Sequence, residues 1–143
     1  MKIRLGNFSE VCALHNQIPE LSPIAGSDYL SARIGENDYL LLVCEQDGIP
    51  VAYKLGYWTG AEYFYSWLGG VHPAYRQRGI AKALLLEQEA QVREMGAKEI
   101  RVKSMNQYTS MLLLLISQGY EITGAGPNAK GEVKIQFAKT LSK

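Results

Sequence analysis

A glycine- and arginine-rich stretch, Gly69-Gly70-Val71-His72-Pro73-Ala74-Tyr75-Arg76-Gln77-Arg78-Gly79-Ile80-Ala81-Lys82, separates a strand pattern from the longest helical pattern in the chain. A loop at this place leaves the first backbone N–H groups of the helix unpaired at the positive end of its dipole, an arrangement that binds phosphate oxygens. Arg76, Arg78 and Lys82 add positive charge at the same point. The stretch therefore predicts an anion site, with a surface loop carrying solvated cations as the simpler alternative.

The residues before this loop read as two helices and three strands. Helical spacing of apolar residues predicts a helix over residues 8–18, and Ser27-Asp28 is the cap signal of a second helix that ends near Gly35. Three strand-like runs follow, the first two on either side of the hairpin signal Asp47-Gly48: Tyr39–Glu45, Pro50–Trp58 and Tyr63–Val71.

The residues after the loop begin with the best-supported helix, from about Ile80 to Met95. Its apolar residues recur at helical spacing, Glu89 and Arg93 pair at i,i+4, and Gly96 ends it. Three further elements are predicted: a strand at Glu99–Lys103, a mostly buried helix at Thr109–Gln118 and a last strand at Glu132–Thr140.

Strand, helix and strand from Tyr63 to Lys103 predict a right-handed parallel βαβ unit within a sheet whose other strands are hairpins. Gly124-x-Gly126, followed by Pro127 and Asn128, has the glycine spacing of part of a nucleotide-binding loop. Because no capped helix follows it, we interpret it as a turn between the last strands.

Length predicts one domain over residues 1–143, and the alternating helix and strand patterns predict that it is an α/β domain. The chain is 47% hydrophobic and 20% charged, which is ordinary for a globular protein. The net charge of +1 gives no basic field for nucleic acid or an anionic membrane. The longest apolar runs, Tyr39–Cys44 and Met111–Ile116, are far below the roughly 18 residues of a membrane span.

The cysteines and the start of the chain point to the cytoplasm. Cys12 and Cys44 lie far apart in apolar settings, so we expect buried thiols in a reducing compartment. The first residues lack the apolar stretch and cleavage site of a secretory signal, so export is not expected. Cys12, His15, Cys44 and His72 match no zinc spacing, and we expect no metal.

The loop resembles the signature of the GNAT superfamily of N-acetyltransferases: Arg or Gln, two residues, Gly, one residue, then Gly or Ala. Arg76, Gly79 and Ala81 fill that signature, and Val71-His72-Pro73-x-Tyr75-Arg76 is a common lead-in to it. Further matches follow at Leu84, Gly96, Asn106 and Gly119-Tyr120, so the resemblance covers residues 62–123. It implies a mixed sheet in which N-terminal antiparallel strands join a central βαβ unit, with helices on both faces.

The resemblance also implies a coenzyme site for acetyl-CoA. The pyrophosphate would rest on the backbone N–H groups from Arg76 to Ala81, which include those of Gln77, Gly79 and Ile80, with Arg78 and Lys82 as side-chain helpers. Pantetheine would lie between two splayed parallel strands, where Gly69-Gly70 fits a bulge or a close backbone approach. The N–H of Val71 would donate to the thioester oxygen.

Asn106 matches an Asn that many family members place near the coenzyme, and its simpler interpretation is a cap for the following helix. The family's usual acid, a Tyr placed to protonate the leaving thiolate, is replaced here by Leu115. Tyr108 and Tyr120 fit that role poorly. A thiol is already a fair leaving group near neutral pH, so the absence of this Tyr weakens the enzyme interpretation without removing it.

The residue that accepts the proton of the attacking amine is open. Candidates near the preceding strand are Glu62, His72, Tyr65 and Ser66, with a water relay as the alternative. His72 is also a common turn former, and Glu62 at the strand start is more often a solvated carboxylate.

Aromatic residues cluster on consecutive strand patterns, and such clusters are usually core packing. An alternative is a pocket whose rings bind an amine or a cation by their π-faces. The cluster consists of Tyr53, Tyr57, Trp58, Tyr63, Tyr65 and Trp67.

Taken with the resemblance, the sequence predicts an enzyme that moves an acetyl group from acetyl-CoA to a primary amine, of a small molecule or a protein, by direct nucleophilic attack. Two other classes stay open: a non-catalytic acyl-CoA-binding sensor and a protein-interaction domain on the same fold. We expect no nucleic-acid or membrane partner, and a homodimer is left open.

Overall fold

The fold, described for residues 1–141 in a computed structural model, is a seven-stranded sheet with helices on both faces. The strands lie in the order β1-β2-β3-β4-β5-β7-β6, and β4 and β5 are its parallel pair. The strands are β1 (Lys2–Leu5), β2 (Tyr39–Gln46), β3 (Ile49–Trp58), β4 (Tyr63–Val71), β5 (Glu99–Ser104), β6 (Glu121–Pro127) and β7 (Val133–Thr140). The helices are α1 (Phe8–His15), α2 (Ser27–Ile34), α3 (Ile80–Glu94) and α4 (Thr109–Ser117).

This architecture confirms the predicted fold class. N-terminal antiparallel strands join a central β4–α3–β5 unit, whose two strands are parallel. The hairpin at Asp47-Gly48 and the end of α2 before Gly35 are also as predicted, and Gly35 has a φ of 61°. No helix within residues 1–141 is long and apolar enough to cross a membrane.

Two edge strands depart from the sequence prediction. The residues expected to form a turn around Gly124 and Gly126 belong to β6, which pairs with β7 at the sheet edge. An edge strand tolerates Gly and Pro127 because one side of its backbone needs no partner. The short strand β1, paired with β2, also went unpredicted, although its alternation of charged and apolar residues is typical of a half-buried strand.

Helix α1 is shorter than predicted. It ends at His15, and Asn16 is its C-cap. Ile18 is buried in the segment that follows the helix, which explains why its position fits the apolar pattern. Of the two cysteines, Cys44 is buried as expected, whereas Cys12 is half-buried.

Strand β3 divides two cores by alternating its side chains. Tyr53, Leu55 and Tyr57 face a core shared with α1 and α2. Val51 and Ala52 belong to the second core, which α3 and α4 cover. The helices therefore pack on both sheet faces, and we refer to the second side as the α3 face.

A charged network is buried on the α3 face. Glu89 of α3 is 3% exposed and accepts hydrogen bonds from the Tyr120 hydroxyl at 2.7 Å and from Lys139 Nζ at 2.9 Å. Burial and the bond to Glu89 both raise the pKa of Tyr120. The network ties α3 to the C-terminal strands and satisfies a carboxylate that would otherwise be costly to bury.

Lys54 of β3 is also buried, at 6% exposure, and forms no ion pair within residues 1–141. Its Nζ is not among the fully enclosed side-chain atoms of this part of the chain without a hydrogen-bond partner, which are the two amide atoms of Gln88 and Arg93 Nε. Burial lowers the pKa of Lys54 from 10.5 to about 8, and the charge of Glu89 opposes that shift only in part. A buried ammonium without an ion pair costs folding free energy.

We expect Lys54→Met to be more stable than the wild type at pH 7, on the order of 2 kcal/mol. Between pH 8 and 10.5 the unfolded chain keeps a proton on Lys54 that the folded chain has lost, so wild-type stability rises with pH across this window. The difference between the two proteins should therefore shrink toward pH 10 in urea unfolding. Lys98→Met, which alters a lysine that is exposed, is the control. A wild type that is the more stable protein at pH 7 would contradict the assignment.

For the network, Tyr120→Phe should lower the free energy of unfolding by about 1–3 kcal/mol, because it leaves the buried carboxylate short of a donor. The matched control is Tyr29→Phe, since that side chain is 46% exposed. Urea unfolding of both variants is the measurement, and equal losses would refute a special role for the Tyr120 hydroxyl.

Candidate active site

The site is built around a gap between β4 and β5. Residues Tyr63–Ser66 of β4 pair with Glu99–Val102 of β5, and β4 then continues to Val71 without a partner in β5. Opposite Leu55 and Gly56 of β3, the register leaves Trp67 as an extra residue in β4. The bulge therefore lies at Trp67, earlier than the expected Gly69-Gly70, and the strands diverge beyond it.

Backbone groups of β4 face this gap. The N–H of His72 donates to the Val51 carbonyl of β3 at 2.8 Å. Because N–H directions alternate along an antiparallel strand, Gly70 faces β3, and Gly69 and Val71 face the gap. The carbonyl of Val71 accepts a bond from Arg76 Nε at 3.2 Å. The gap thus has two candidate N–H donors. The N–H of Val71 was predicted from the sequence, and the N–H of Gly69 was not.

Gly70 marks a close approach on the face opposite α3. A Cβ on Gly70 would stand 2.5 Å from Ile18 Cδ1 and 3.3 Å from Leu21 Cδ1. The close approach expected at Gly69-Gly70 is made by the side chains of Ile18 and Leu21, which follow α1, against Gly70. Gly70 therefore allows residues 18–22, which we call the cover segment, to lie against β4.

The loop after β4 is a row of free backbone donors. It begins with a turn in which His72 Nδ1 accepts a hydrogen bond from the Ala74 N–H at 3.1 Å. Gln77 (φ 63°) and Gly79 (φ 77°) then take the left-handed conformation just before α3 starts at Ile80. Within residues 1–141, the N–H groups of residues 77–82 have no hydrogen-bond partner. They gather at the positive end of α3, as an anion site requires.

The cationic side chains of the loop differ in their surroundings. Arg76 forms an ion pair with Glu20 of the cover segment, which neutralises its charge. The Arg78 guanidinium lies 5.1 Å from the centre of the Tyr75 ring, and Lys82 is exposed. Neither Arg78 nor Lys82 has an ion-pair partner in the described part of the chain, so both are available to a bound anion.

The cover segment is anchored from several sides. His15 joins Tyr53 to the segment, since its Nδ1 lies 2.5 Å from the Tyr53 hydroxyl and its Nε2 lies 2.8 Å from the Ser22 carbonyl. The Tyr108 hydroxyl donates to the Glu20 carbonyl at 3.4 Å. The segment thereby links the loop before α3 with the start of α4.

Several predicted residues lie away from the gap or are engaged elsewhere. Glu62 stands before β4, at the opposite end from Val71, and pairs with Lys98 at 2.7 Å, which raises the pKa of Lys98. The Nδ1 of His72 accepts a hydrogen bond from the Ala74 N–H within the turn. Leu115 is fully buried in the α3-face core, and the Tyr120 hydroxyl is bound to Glu89.

Asn106 is exposed in the turn after β5, at the end of the gap. Its alternative interpretation as a helix cap is wrong, because the N-cap of α4 is Tyr108. Tyr65 and Ser66, the remaining base candidates, lie in the part of β4 that still pairs with β5.

The aromatic cluster is mainly core packing, as expected. Tyr53 and Tyr57 are buried under α1 and α2, and Tyr65 and Trp67 pack against them. Protein cations already lie near the rings that are not fully buried: Arg33 is 5.0 Å from the Trp67 centroid, Arg101 is 4.4 Å from Tyr63 and Lys103 is 5.9 Å from Tyr65. Within residues 1–141 no group of three His, Cys, Asp or Glu side chains is placed to hold a metal ion.

Comparison with known proteins agrees with this geometry. A search of curated protein sequences gave no match. Among solved structures, the ribosomal-protein-S18-alanine N-acetyltransferase from Escherichia coli has a TM-score of 0.85 at 17% identity, over 99% of this chain and 94% of its own. The Salmonella typhimurium protein yncA, solved with its cofactor acetyl-CoA, has a TM-score of 0.75 at 17% identity, over 99% and 94%.

A third neighbour is an aminoglycoside 6'-N-acetyltransferase complexed with coenzyme A, with a TM-score of 0.80 at 16% identity, over 100% of this chain and 98% of its own. At these identities the neighbours establish the fold. The sequence itself, over residues 8–112, matches the profile of the Acetyltransferase (GNAT) family. The match spans most of the chain and includes the gap strands and the loop before α3. The chain belongs to the GNAT family of acetyltransferases.

Proposed function

We propose that the protein is an N-acetyltransferase that transfers the acetyl group of acetyl-CoA to a primary amine by direct attack. The observation that carries this proposal is the row of unpartnered N–H groups at residues 77–82, placed at the start of α3 beside the open end of the β4–β5 gap. Family membership and the coenzyme complexes of two structural neighbours support the same coenzyme.

The pyrophosphate of acetyl-CoA binds to this row, with Arg78 and Lys82 supplying charge. Charge-assisted bonds to fixed donors are about twice as strong as neutral ones. Ile80 and Ala81 contribute backbone donors, and Arg76 contributes by fixing Val71 and Glu20 rather than by touching phosphate. Pantetheine enters the gap, where the backbone of β4 lacks a β5 partner and Asn106 stands at the end.

Acyl transfer follows from this placement. The amine nitrogen attacks the thioester carbonyl carbon, and negative charge develops on the carbonyl oxygen. The gap-facing N–H of Val71, aided by that of Gly69, stabilises this charge. Glu62 and His72 are left out as bases, since one lies at the far end of β4 and the other holds the turn. A water relay to bulk solvent takes the amine proton.

The acceptor approaches from the face opposite α3, between the cover segment and Trp67. The structural neighbours include one enzyme named for a protein alanine and one named for an aminoglycoside, so both acceptor classes occur on this fold. The expectations of a cytoplasmic protein and of a homodimer stay predictions.

A second candidate function is acyl-CoA binding without turnover, as in a sensor. The observation that favours it is Leu115, fully buried where many family members carry the acid Tyr. This candidate shares the coenzyme site and differs in giving no amine-dependent release of thiol. The third class, a protein-interaction domain, requires no coenzyme binding.

Calorimetric titration with acetyl-CoA tests the coenzyme site. We expect binding near micromolar, about −8 kcal/mol, for the wild type. Gly79→Pro should abolish it, because proline cannot adopt a φ of 77° and its ring removes an N–H donor. The control Gly131→Pro imposes the same conflict at a φ of 79° between β6 and β7, and should bind as the wild type does.

Arg78→Glu should weaken the same binding by tenfold or more, since it reverses a charge beside the phosphates. Absence of wild-type binding, or undiminished binding by Gly79→Pro, would contradict the proposed site. Where acetyl-CoA binds, thiol release in the presence of a panel of amines separates the enzyme from the sensor.

A further inference from the structure

The most unusual side chain on the α3 face is Lys54, a buried lysine that forms no ion pair with residues 1–141. The buried network nearby does not satisfy it, because Glu89 already binds Tyr120 and Lys139. Gln88, next to Glu89 in α3, is fully buried, and both polar atoms of its amide lack hydrogen-bond partners within residues 1–141. This face thus holds buried polar groups that the hydrogen bonds within residues 1–141 do not satisfy.

Lys54 lies directly against the gap strand. It pairs with Gly69 of β4, and its Cγ and Nζ both lie 3.6 Å from the point where a Cβ on Gly69 would stand. The absence of a side chain on Gly69 leaves space for the ammonium group. Since the Gly69 N–H faces the gap, the Lys54 ammonium stands over a residue that borders the gap.

The path of the coenzyme brings its sulfur to the same place. The phosphates bind at the start of α3, so pantetheine runs from the α3 side into the gap beside Gly69 and Val71. The thioester oxygen, bound to the N–H groups of these residues, fixes the sulfur one bond away from the carbonyl carbon. The Lys54 ammonium, beside Gly69, borders the same part of the gap on the α3 face.

We propose that Lys54 is the catalytic acid, whose Nζ ammonium donates a proton to the coenzyme A sulfur as the C–S bond breaks. This inference rests on the proposed acetyl transfer. In this proposal the acid lies in β3. The position in α4 where many family members carry an acid Tyr is occupied here by the buried Leu115, which has no proton to donate.

The step balances. The amine lone pair forms the C–N bond, and collapse of the tetrahedral intermediate restores the carbonyl while the electron pair of the C–S bond leaves on sulfur. Lys54 gives this thiolate a proton and becomes a neutral amine. The proton lost by the acceptor nitrogen reaches solvent, from which Lys54 is protonated again. The products are the acetamide and free coenzyme A.

The electrostatic surroundings suit this role. Burial lowers the pKa of Lys54 to about 8, close to the roughly 8.5 of a thiol, so the proton passes between groups of similar acidity. The other titratable groups on this face include Glu89 and Arg93 of α3, Tyr120 and Lys139, which both bind Glu89, and Cys44 of β2. Burial raises the pKa of the Cys44 thiol, so Glu89 is the opposite charge that Lys54 faces.

The test measures the ionisation of free coenzyme A bound to the protein and needs no acceptor amine. Thiolate absorbance in the ultraviolet is followed against pH, with the complex of desulfo-coenzyme A subtracted to remove the protein's tyrosines. An ammonium beside the sulfur stabilises the thiolate, so the bound thiol should titrate below free coenzyme A and close to the pKa of about 8 of Lys54. In Lys54→Met this shift should disappear, whereas Lys98→Met should match the wild type.

The outcomes separate the two proposals. Wild-type and Lys54→Met proteins that bind coenzyme A with the same thiol titration would overturn the role of Lys54 and leave the proposed acetyl transfer standing. Failure of the wild type to bind coenzyme A would overturn the proposed function, and this inference with it. Since Lys54→Met removes a buried charge that forms no ion pair, it is expected to fold, and calorimetry with coenzyme A confirms that its site is intact.

Discussion

The site depends on the early end of the pairing between β4 and β5. Four residue pairs join the two parallel strands, after which β4 remains bonded to β3 alone. This divergence exposes the backbone of Gly69 and Val71 and directs the following loop to the start of α3. A strand paired on both sides would leave no room for a ligand and no free donors. The bulge at Trp67 marks where the pairing with β5 ends, and the free N–H row and Lys54, which pairs with Gly69, border the gap beyond it.

The central part of the fold was predictable from local sequence because its signals are local. Gly79 before an amphipathic run fixes the start of α3 at Ile80, and the strand–helix–strand order fixes the parallel pair. The edges of the sheet were not predictable in this way. The glycines and proline of β6 signal a turn in isolation, and only the pairing with β7 makes them a strand.

Within the site, the loop donors could be located from sequence and the reacting groups could not. The position of the bulge depends on the register between β3 and β4, a contact between residues distant in the sequence. The fates of Glu62 and His72 depend on partners that the local pattern does not reveal. Lys54 did leave a signal: it is the single charged residue in the otherwise apolar β3. A lone lysine in a strand buried on both faces is costly, and such a cost points toward function.

Recognition through main-chain donors has a consequence for sequence divergence. The N–H row at residues 77–82 is formed by backbone conformation, which many side chains permit provided that Gly79 keeps its left-handed geometry. Under the proposed function, a coenzyme site of this kind places few demands on residue identity. Proteins can therefore share 99% of the chain in three dimensions while only 17% of aligned residues are identical. Substitutions elsewhere in the chain are then less constrained, except in the cover segment, where Glu20 pairs with Arg76 of the loop and Ile18 packs against Gly70.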